Sequence, residues 1–330
     1  MSHSKPFLKW AGGKHRVVEE LVNILSNSPL SIDWEVTGEQ QYYEPFLGSG
    51  AMFFGLRSLG IISTSEKSNL NDINAILINC MKVVSDSKKL PVLFKKLQKL
   101  QFDYAKQERN PRGQSKEVRD ARMYYLKRKK LNYLSKKNSL SDNQEIELAA
   151  LSIFLNKTCY NGLWRMNKDG GFNVPEGDYD SPTNIYQESI LSSCNSHLKN
   201  ASLSSLTWQE IFPRVEEGDL IYLDPPYMPL EIEGSTFNNY FTNGFSRQEQ
   251  IELANSSAKL AAKGARVIAS NHDALGEPTV REIYGKAASE AGCSIEIIPI
   301  RVSRNISCKG HGRVKVNEVL IFMSSKIRGN

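Results

Sequence analysis

The chain has 330 residues, of which 40% are hydrophobic and 24% are charged, a balance typical of a globular protein with one large domain or a core plus a smaller module. No stretch reaches 18 uninterrupted apolar residues, which excludes a membrane-spanning helix, and the first residues lack the apolar run of a secretory signal. The five cysteines are odd in number and widely spaced, unlike the ligands of a zinc site or a disulfide framework. We therefore expect a cytoplasmic protein with reduced thiols and no bound metal.

Charge is unevenly distributed along the chain. Residues 88–137 hold 17 Lys and Arg against 4 Asp and Glu, a net charge of +13. Because the whole chain carries +6, the remaining residues carry −7. Such a basic block favours a polyanionic partner, most plausibly nucleic acid, and on charge alone it fits a solvated helical surface equally well.

The first strand and helix signals alternate. Residues 42–46 are aromatic and extended, and they end at the glycine turn 48–50. A helix is predicted at 51–59, a second strand at 68–72 and a second helix at 74–84.

The middle of the chain is different in character. From residue 87 to 157 the sequence has helical periodicity, is rich in lysine and shows no strand signal, with one turn at 110–113. Residues 159–182 are rich in Gly, Asn, Pro and aromatic residues, which predicts a structured loop or hairpin.

Strand and helix signals alternate again in the last third. Strands are predicted at 219–224, 265–270, 294–299 and 316–323, and helices at 248–262 and 280–291. This alternation predicts an α/β fold with a parallel or mixed sheet, helices on both faces, and the helical middle inserted between two halves of the sheet.

The most informative local motif is Asp224, Pro225, Pro226 and Tyr227, at the carboxyl end of an apolar strand, where ligands of open α/β sheets bind. The two prolines fix an extended backbone whose carbonyls remain available as acceptors. An acid, rigid carbonyls and an aromatic face together suit a planar ring that carries an amino group. The plain alternative is a turn with a capping aspartate.

A glycine turn follows the first strand, at residues 44–50. Glycines allow close approach of a ligand to the backbone, and Asp72 ends the next strand, where an acid accepts from ribose hydroxyls. The sequence is neither a dinucleotide fingerprint nor a P-loop. Residues 6–14 contain two glycines between Trp10 and Lys14, which indicates a loop closing over a ligand, or simply a packed indole beside an exposed lysine.

Taken together, these segments resemble the Dam family of DNA adenine-N6 methyltransferases (alpha group, D12 class). The similar motifs, in the family's order, are Phe7-Leu-Lys-Trp-Ala-Gly-Gly-Lys14, Glu44-Pro-Phe-Leu-Gly-Ser-Gly50, Asn71-Asp-Ile-Asn74, Tyr160-Asn-Gly-Leu-Trp-Arg-Met-Asn167, Gly171-Phe-Asn-Val-Pro175, Asp224-Pro-Pro-Tyr227 and Ser270-Asn-His-Asp273. The similarity spans most of the chain. Residues 88–150 lack a clear counterpart, and we expect this segment to be longer than in the family.

The resemblance implies S-adenosyl-L-methionine as cofactor. The implied cofactor-binding residues are Trp10, Gly12, Lys14, Glu44, Phe46, Gly48, Asp72 and Asp224. The implied catalytic residues are Asp224, Pro225, Pro226 and Tyr227, with Tyr227 stacking on a flipped adenine.

The resemblance also implies a DNA-reading surface. Its residues would be Lys9, Tyr160, Asn161, Leu163, Arg165 and Pro175, with Lys9 and Arg165 on guanines of a GATC site. Close relatives carry a basic residue after the hairpin proline, whereas this chain has Glu176 and Asp178, which puts a phosphate contact there in doubt. We expect the basic block 88–137 to contact phosphates instead.

The implied fold is a Rossmann-like S-adenosylmethionine-dependent methyltransferase sheet with an inserted, mainly helical DNA-recognition region. Residues 1–86 and 201–330 would form the catalytic domain, and residues 87–200 the recognition region with its hairpin loop. The implied enzyme methylates adenine in double-stranded DNA as a monomer, in the cytoplasm of a bacterial or phage-infected cell, associated with the nucleoid through DNA. The alternatives are a non-catalytic DNA-binding regulator and a restriction-modification methyltransferase that reads a different site.

Overall fold

The computed structural model describes residues 5–10, 14, 18–26, 35–107, 115–179, 184–226, 245–273, 278–301 and 317–325. The chain divides into two compact units, each taken by itself below. The sheet unit comprises residues 17–47, 60–73 and 200–330, and the helical unit comprises residues 1–16, 48–59 and 74–199.

The described part of the sheet unit contains a seven-stranded mixed sheet. Its strands are β1 (Tyr42–Glu44), β2 (Ser68–Asn71), β3 (Ala201–Ser204), β4 (Leu220–Leu223), β5 (Arg266–His272), β6 (Ser294–Arg301) and β7 (Asn317–Ser324). The spatial order is β3-β2-β1-β4-β5-β7-β6. Strands β1 to β5 pair in parallel, and β7 is antiparallel to both β5 and β6. Strands β1 to β3 therefore form one side of the sheet and β4 to β7 form the other, with β1 and β4 adjacent at the centre.

Eleven α-helices are described across the two units. They are α1 (Val18–Ser26), α2 (Ala51–Ser58), α3 (Ala75–Ser85), α4 (Leu90–Ala105), α5 (Lys116–Asp120), α6 (Met123–Leu134), α7 (Asp142–Thr158), α8 (Glu188–His197), α9 (Trp208–Ile211), α10 (Arg247–Ala262) and α11 (Val280–Ala291).

The core of the sheet unit lies between the sheet and helices α9, α10 and α11. Alternate strand residues such as Ile221 and Val267 face the same cluster as Leu253 and Tyr284 from the helices, and all four are fully buried. Both long helices begin at capping boxes, in which a Ser or Thr and a Glu three residues later satisfy each other's backbone N–H groups. These caps fix the starts of α10 and α11, close to the starts predicted at 248 and 280.

The helical unit is built around α7. From Leu148 to Thr158 this helix is buried on all sides, as expected of a helix enclosed by others, and it packs against α3, α4 and α6. A capping box at Ser141 and Gln144 begins α7, and the Asn74 side chain caps α3 by accepting from two backbone N–H groups.

The structure confirms the predicted α/β architecture. Each predicted strand and helix of the sheet halves lies within two residues of its observed bounds, and helices α3 to α8 separate β2 from β3 along the chain. Strand β3 was missed because it is a partly exposed edge strand with alternating serines, which give no apolar signal. Helices α1, α8 and α9 were also not predicted, and the turn predicted at 110–113 lies outside the described residues.

The assignment of residues 1–86 and 201–330 to a catalytic domain, and of 87–200 to a recognition region, is a functional division that stays a prediction. The compact units follow packing instead, so that residues 1–16, 48–59 and 74–86 fall within the helical unit. No helix among the described residues is both long and apolar enough to span a membrane. In the same part of the chain, Cys80, Cys159, Cys194 and Cys293 are buried free thiols, and no cluster of His, Cys, Asp and Glu is arranged to hold a metal.

Candidate functional site

The carboxyl ends of three parallel strands bring acidic side chains to one edge of the sheet. Glu44 ends β1, Asp72 follows β2 and Asp224 follows β4, with β1 paired to both of the other strands. Between β1 and β4 the order of the chain through the sheet reverses, and such switch points are where open α/β sheets bind ligands. The structure therefore brings three predicted site residues to the expected edge.

The half-buried carboxylate of Asp224 is oriented by a buried hydroxyl chain. Ser270 Oγ, at the carboxyl end of β5, donates to Asp224 Oδ1 at 2.8 Å, and Tyr222 OH lies 3.0 Å from the same Ser270 Oγ. Because Ser270 has one proton and gives it to the carboxylate, Tyr222 must donate to Ser270. Pro225 is buried and Pro226 is exposed, while Tyr227 lies outside the described residues. No local sequence pattern indicates these roles of Ser270 and Tyr222.

Glu44 is a buried carboxylate, with 2% of its surface exposed. Tyr42 OH donates to Glu44 Oε2 at 2.7 Å, and burial first, then the neighbouring carboxylate, raises the pKa of Tyr42 well above its ordinary value. Phe46, two residues further on, is half-buried and meets Phe245 edge to face, with ring centroids 6.0 Å apart. The β1 end is thus polar at Glu44 and aromatic at Phe46.

Asn71 holds this edge of the sheet together. Its amide group donates to the carbonyls of Pro45 and Leu206, and its oxygen accepts from Ser204 Oγ and from the Leu206 backbone N–H. The residue is 1% exposed; its bond to the Pro45 carbonyl is buried and the other three bonds are partly buried. Asn71 therefore fixes the position of the adjacent Asp72, a role that the motif alone did not reveal.

In the helical unit, Trp10 lies against Gly48. Gly48 has φ +51°, and a Cβ added there would come within 2.9 Å of Trp10 Nε1. The indole also stacks on Trp164, with centroids 6.2 Å apart and planes at 26°. Lys14 is buried, and Gly12 lies outside the described residues. The close approach of Trp10 gives a physical reason for glycine at position 48.

Lys9 is tethered to α7 by its backbone. Lys9 N donates to Asn156 Oδ1 at 2.7 Å, and Asn156 Nδ2 donates to the Lys9 carbonyl at 2.8 Å. The Lys9 stem crosses Gly162, where an added Cβ would be 2.7 Å from Lys9 Cβ, and its ammonium lies 5.0 Å from the centroid of the Tyr179 ring. The buried Asn156, 147 residues away in sequence, was missed because no local pattern links it to Lys9.

Residues 159–176 form the predicted hairpin. Antiparallel bridges join Cys159 to Glu176 and Met166 to Phe172, and Tyr160 N donates to the Pro175 carbonyl at 2.9 Å. The hairpin thereby carries the predicted DNA-reading residues Tyr160, Asn161, Leu163, Arg165 and Pro175. All of these except the half-buried Leu163 are exposed, and Asn161 adopts φ +53°. The Lys9 side chain also packs against this hairpin, at Gly162.

Glu176, where the sequence departs from the family pattern, is a structural residue. Arg122 donates to both of its carboxylate oxygens, at 2.8 and 3.0 Å, and Tyr104 OH donates to Glu176 Oε1 at 2.8 Å. The Glu176 side chain has no exposed surface. It therefore binds the base of the hairpin to the helices and offers nothing to a phosphate, whereas Asp178 is exposed.

Part of the basic block is neutralised by acids of α7. Lys89 and Lys96 of the α4 region contact Glu145 and Glu147, each at 2.5 Å, and Lys130 of α6 contacts Glu147 at 2.6 Å. These lysines hold the helices together. Phosphate contact by the other cations of residues 88–137 stays a prediction.

Comparison with known proteins extends the similarity over nearly the whole chain, residues 88–150 included, so the expectation that this segment lacks a counterpart was wrong. A family model described as D12 class N6 adenine-specific DNA methyltransferase matches residues 10–296. The chain is 33% identical over 319 residues to the Type II methyltransferase M.MjaIII of Methanocaldococcus jannaschii, covering 96% of this chain and 98% of that protein. It is 30% identical over 326 residues to the DNA adenine methylase of Vibrio cholerae, covering 98% of each chain. It is 28% identical over 320 residues to that of Escherichia coli, covering 97% of this chain and 95% of the relative.

Proposed function

Because this chain belongs to the D12 class of N6 adenine-specific DNA methyltransferases, we propose that it methylates adenine N6 within GATC in double-stranded DNA, using S-adenosyl-L-methionine as donor. The observation that carries the proposal is the oriented Asp224 carboxylate, at the switch point of the sheet and directly before two prolines. The activity class follows from the family. Beyond that activity class, we propose the methyl donor, the target sequence and the roles of the individual residues.

The residues present fit the proposed donor. Glu44 and Asp72 are carboxylates at adjacent strand ends, suited to accept from ribose hydroxyls and to stabilise a cation. Gly48, which has no Cβ, lets the Trp10 indole approach the glycine turn closely, so an aromatic ring lies beside this turn. When bound, S-adenosylmethionine supplies a methyl group on a positively charged sulfur. Gly12, Lys14 and Phe46 stay predicted donor-binding residues on the strength of the resemblance.

Asp224 and Pro225 would prepare the nucleophile. Adenine N6 is a poor nucleophile because its lone pair is delocalised into the ring. Hydrogen bonds from N6 to the Asp224 carboxylate and the Pro225 carbonyl favour a pyramidal nitrogen with a localised lone pair. Ser270 holds the carboxylate in place for this, so the rate gain comes mainly from positioning, and the proton can leave after methyl transfer.

Access to this carboxylate requires the adenine to leave the DNA helix. An adenine stacked in a duplex cannot present N6 to a side chain beyond a strand end, so we propose that it flips out and stacks on Tyr227. Pro226 stays in the predicted catalytic set as part of the rigid segment between Asp224 and Tyr227.

The hairpin would read the sequence. Arg165 is exposed on the hairpin, and an arginine can grip guanine O6 and N7 with two hydrogen bonds. Lys9 is held at the same hairpin and is proposed to contact the second guanine, while Tyr160, Asn161, Leu163 and Pro175 contact the surrounding bases and backbone. We propose that the enzyme works as a cytoplasmic monomer on nucleoid DNA.

A second candidate concerns the biological setting. A relative 33% identical to this chain is named a Type II methyltransferase, which favours a modification enzyme that accompanies a restriction nuclease. Such an enzyme can read a site other than GATC with the same chemistry.

The test is transfer of a labelled methyl group from S-adenosylmethionine to a duplex with one GATC and to a duplex with that adenine replaced. Transfer to the first alone supports the full proposal, whereas transfer to both refutes GATC and leaves the chemistry. We expect Asp224→Ala to abolish transfer while DNA binding persists. Asp103→Ala, at a partly exposed carboxylate paired with Lys99 on α4, is the matched control and should stay active. Cofactor binding without any transfer by the unaltered protein would instead support a non-catalytic DNA-binding regulator.

A further inference from the structure

One face of α6 is bonded to the backbone of the hairpin. Tyr124, Arg128 and Asn132 are spaced four residues apart and therefore share that face. Tyr124 OH donates to the Val174 carbonyl at 2.9 Å, and Arg128 donates to the same carbonyl at 3.1 Å. These side chains of α6 thus bond the backbone of the second half of the hairpin.

Asn132 makes the most specific of these contacts. Its Nδ2 donates to the Phe172 carbonyl at 3.1 Å, and its Oδ1 accepts from the Phe172 backbone N–H at 2.8 Å. A side-chain amide that bonds both backbone groups of one residue determines where that residue lies along the strand. Phe172 is also the bridge partner of Met166, so this bond sets the pairing of the two hairpin strands.

Asn173, the next residue, contacts Arg165, which is predicted to bind a guanine. Asn173 Oδ1 accepts from Arg165 Nε at 2.8 Å, and Asn173 N donates to the Arg165 carbonyl at 3.1 Å. The guanidinium of Arg165 is thus oriented by a residue whose neighbours on both sides are bonded to α6. Moving Phe172 or Val174 would move the guanidinium with them.

The hairpin needs this support for a physical reason. Two antiparallel bridges are described in it, and an isolated two-stranded hairpin is marginally stable in water. A base-reading side chain must be held within about half an ångström of its productive position, which a loose hairpin cannot provide.

We infer that α6 positions the recognition hairpin, and that Asn132 and Tyr124 are positioning residues for sequence discrimination. This inference rests on the proposed function, since it assumes that Arg165 reads a base. A well-placed bidentate arginine gives roughly 5- to 150-fold discrimination between base pairs. Loss of the Asn132 bonds should therefore reduce discrimination while leaving the methyl-transfer step at Asp224 in place.

The experiment compares Asn132→Ala with Asn138→Ala, the same change at an exposed residue beyond the end of α6. The preferred site of the unaltered enzyme is first found with a pool of random duplexes. The discrimination ratio is kcat/KM on that site divided by kcat/KM on a duplex with one flanking guanine pair replaced. We expect the ratio to fall about tenfold in Asn132→Ala, with KM for DNA raised more than kcat is lowered, and to stay unchanged in Asn138→Ala.

Tyr124→Phe keeps the buried ring and removes the hydroxyl that bonds Val174, so it covers the case in which Asn132→Ala does not fold. A fall in the discrimination ratio of Tyr124→Phe supports the inference, whether or not Asn132→Ala folds. An unchanged ratio in every one of the two variants that folds would overturn it, because Asn132 and Tyr124 would then at most stabilise the fold. A preferred site other than GATC contradicts the proposed target instead, and the ratio is still measurable on the site found. If the unaltered enzyme transfers no methyl group, the same ratio is taken from DNA dissociation constants.

Discussion

The buried ion pair between Arg122 and Glu176 should control the stability of the helical unit. Glu176 has a fully buried side chain, Arg122 is 10% exposed, and two hydrogen bonds of 2.8 and 3.0 Å join them. Hydrogen bonding to Glu176 raises the pKa of Arg122 further above its ordinary value, so the pair stays charged on the arginine side at any accessible pH.

Arg122→Met removes both arginine hydrogen bonds and leaves the Glu176 carboxylate buried. Of the donors described above, Tyr104 OH then remains. Breaking a buried pair from one side costs about 3–5 kcal/mol. This corresponds to a rise of roughly 150- to 5000-fold in the unfolding equilibrium constant. Because domains are stable by only about 5–15 kcal/mol, a loss of this size is easily measured.

The assay is urea unfolding followed by circular dichroism, with the free energy taken from the midpoint and slope. Adding Glu176→Gln to Arg122→Met should restore most of the loss, because a neutral amide still accepts from Tyr104 and carries no buried charge. Arg119→Met is the matched control, since Arg119 is 47% exposed and lies 3.6 Å from Asp120, a pair expected to contribute under about 1 kcal/mol. If Arg122→Met lowers the free energy of unfolding by no more than Arg119→Met does, the buried pair does not stabilise the helical unit.

Two further predictions concern the surroundings of Lys9. Gly162→Ala, at φ +64°, places a Cβ 2.7 Å from Lys9 Cβ, so we expect DNA affinity, measured by fluorescence anisotropy, to fall by more than tenfold. Gly170→Ala is the control: Gly170 has φ +71° and open space around it, so this variant carries only backbone strain, of about 1–2 kcal/mol. Equal losses in the two variants would contradict the role of the Lys9 contact. Burial first, and then the charge of Lys9, lowers the pKa of Lys157 to about 8, and its ordinary value is 10.5. Between about pH 8 and 10.5 the unfolded chain therefore binds more protons at Lys157 than the folded chain does. The free energy of unfolding should rise with pH in this window by about 3 kcal/mol relative to Lys157→Met. Parallel pH curves for the two proteins would exclude a lowered pKa at Lys157.

The sheet was predictable because its signals are local. Apolar strands alternating with segments of helical periodicity predict an α/β sheet with helices on both faces, and the same pattern places acids at the strand ends. Glu44, Asp72 and Asp224 reach one edge because parallel strands place all their carboxyl ends together. Strand β3 escaped prediction because an edge strand with alternating serines has no apolar pattern to detect.

The supports of the site were not predictable, because each joins positions far apart in sequence. Ser270 bonds Asp224 across 46 residues, Asn156 bonds Lys9 across 147, and Arg122 bonds Glu176 across 54. No periodicity encodes such pairs, since they depend on which elements meet after the chain has folded.

Local periodicity and turn chemistry are enough to predict the class of sheet, the order of its elements and the residue types at the strand ends. How those residues are held depends on contacts that exist once the chain has folded. From the sequence, Glu176 stands where a DNA contact would be lost; in the folded protein it is the buried partner of Arg122. The tertiary structure also divides the basic block, since Lys89, Lys96 and Lys130 neutralise acids of α7. Both outcomes depend on burial and on partners distant in the chain, which are properties of the folded molecule alone.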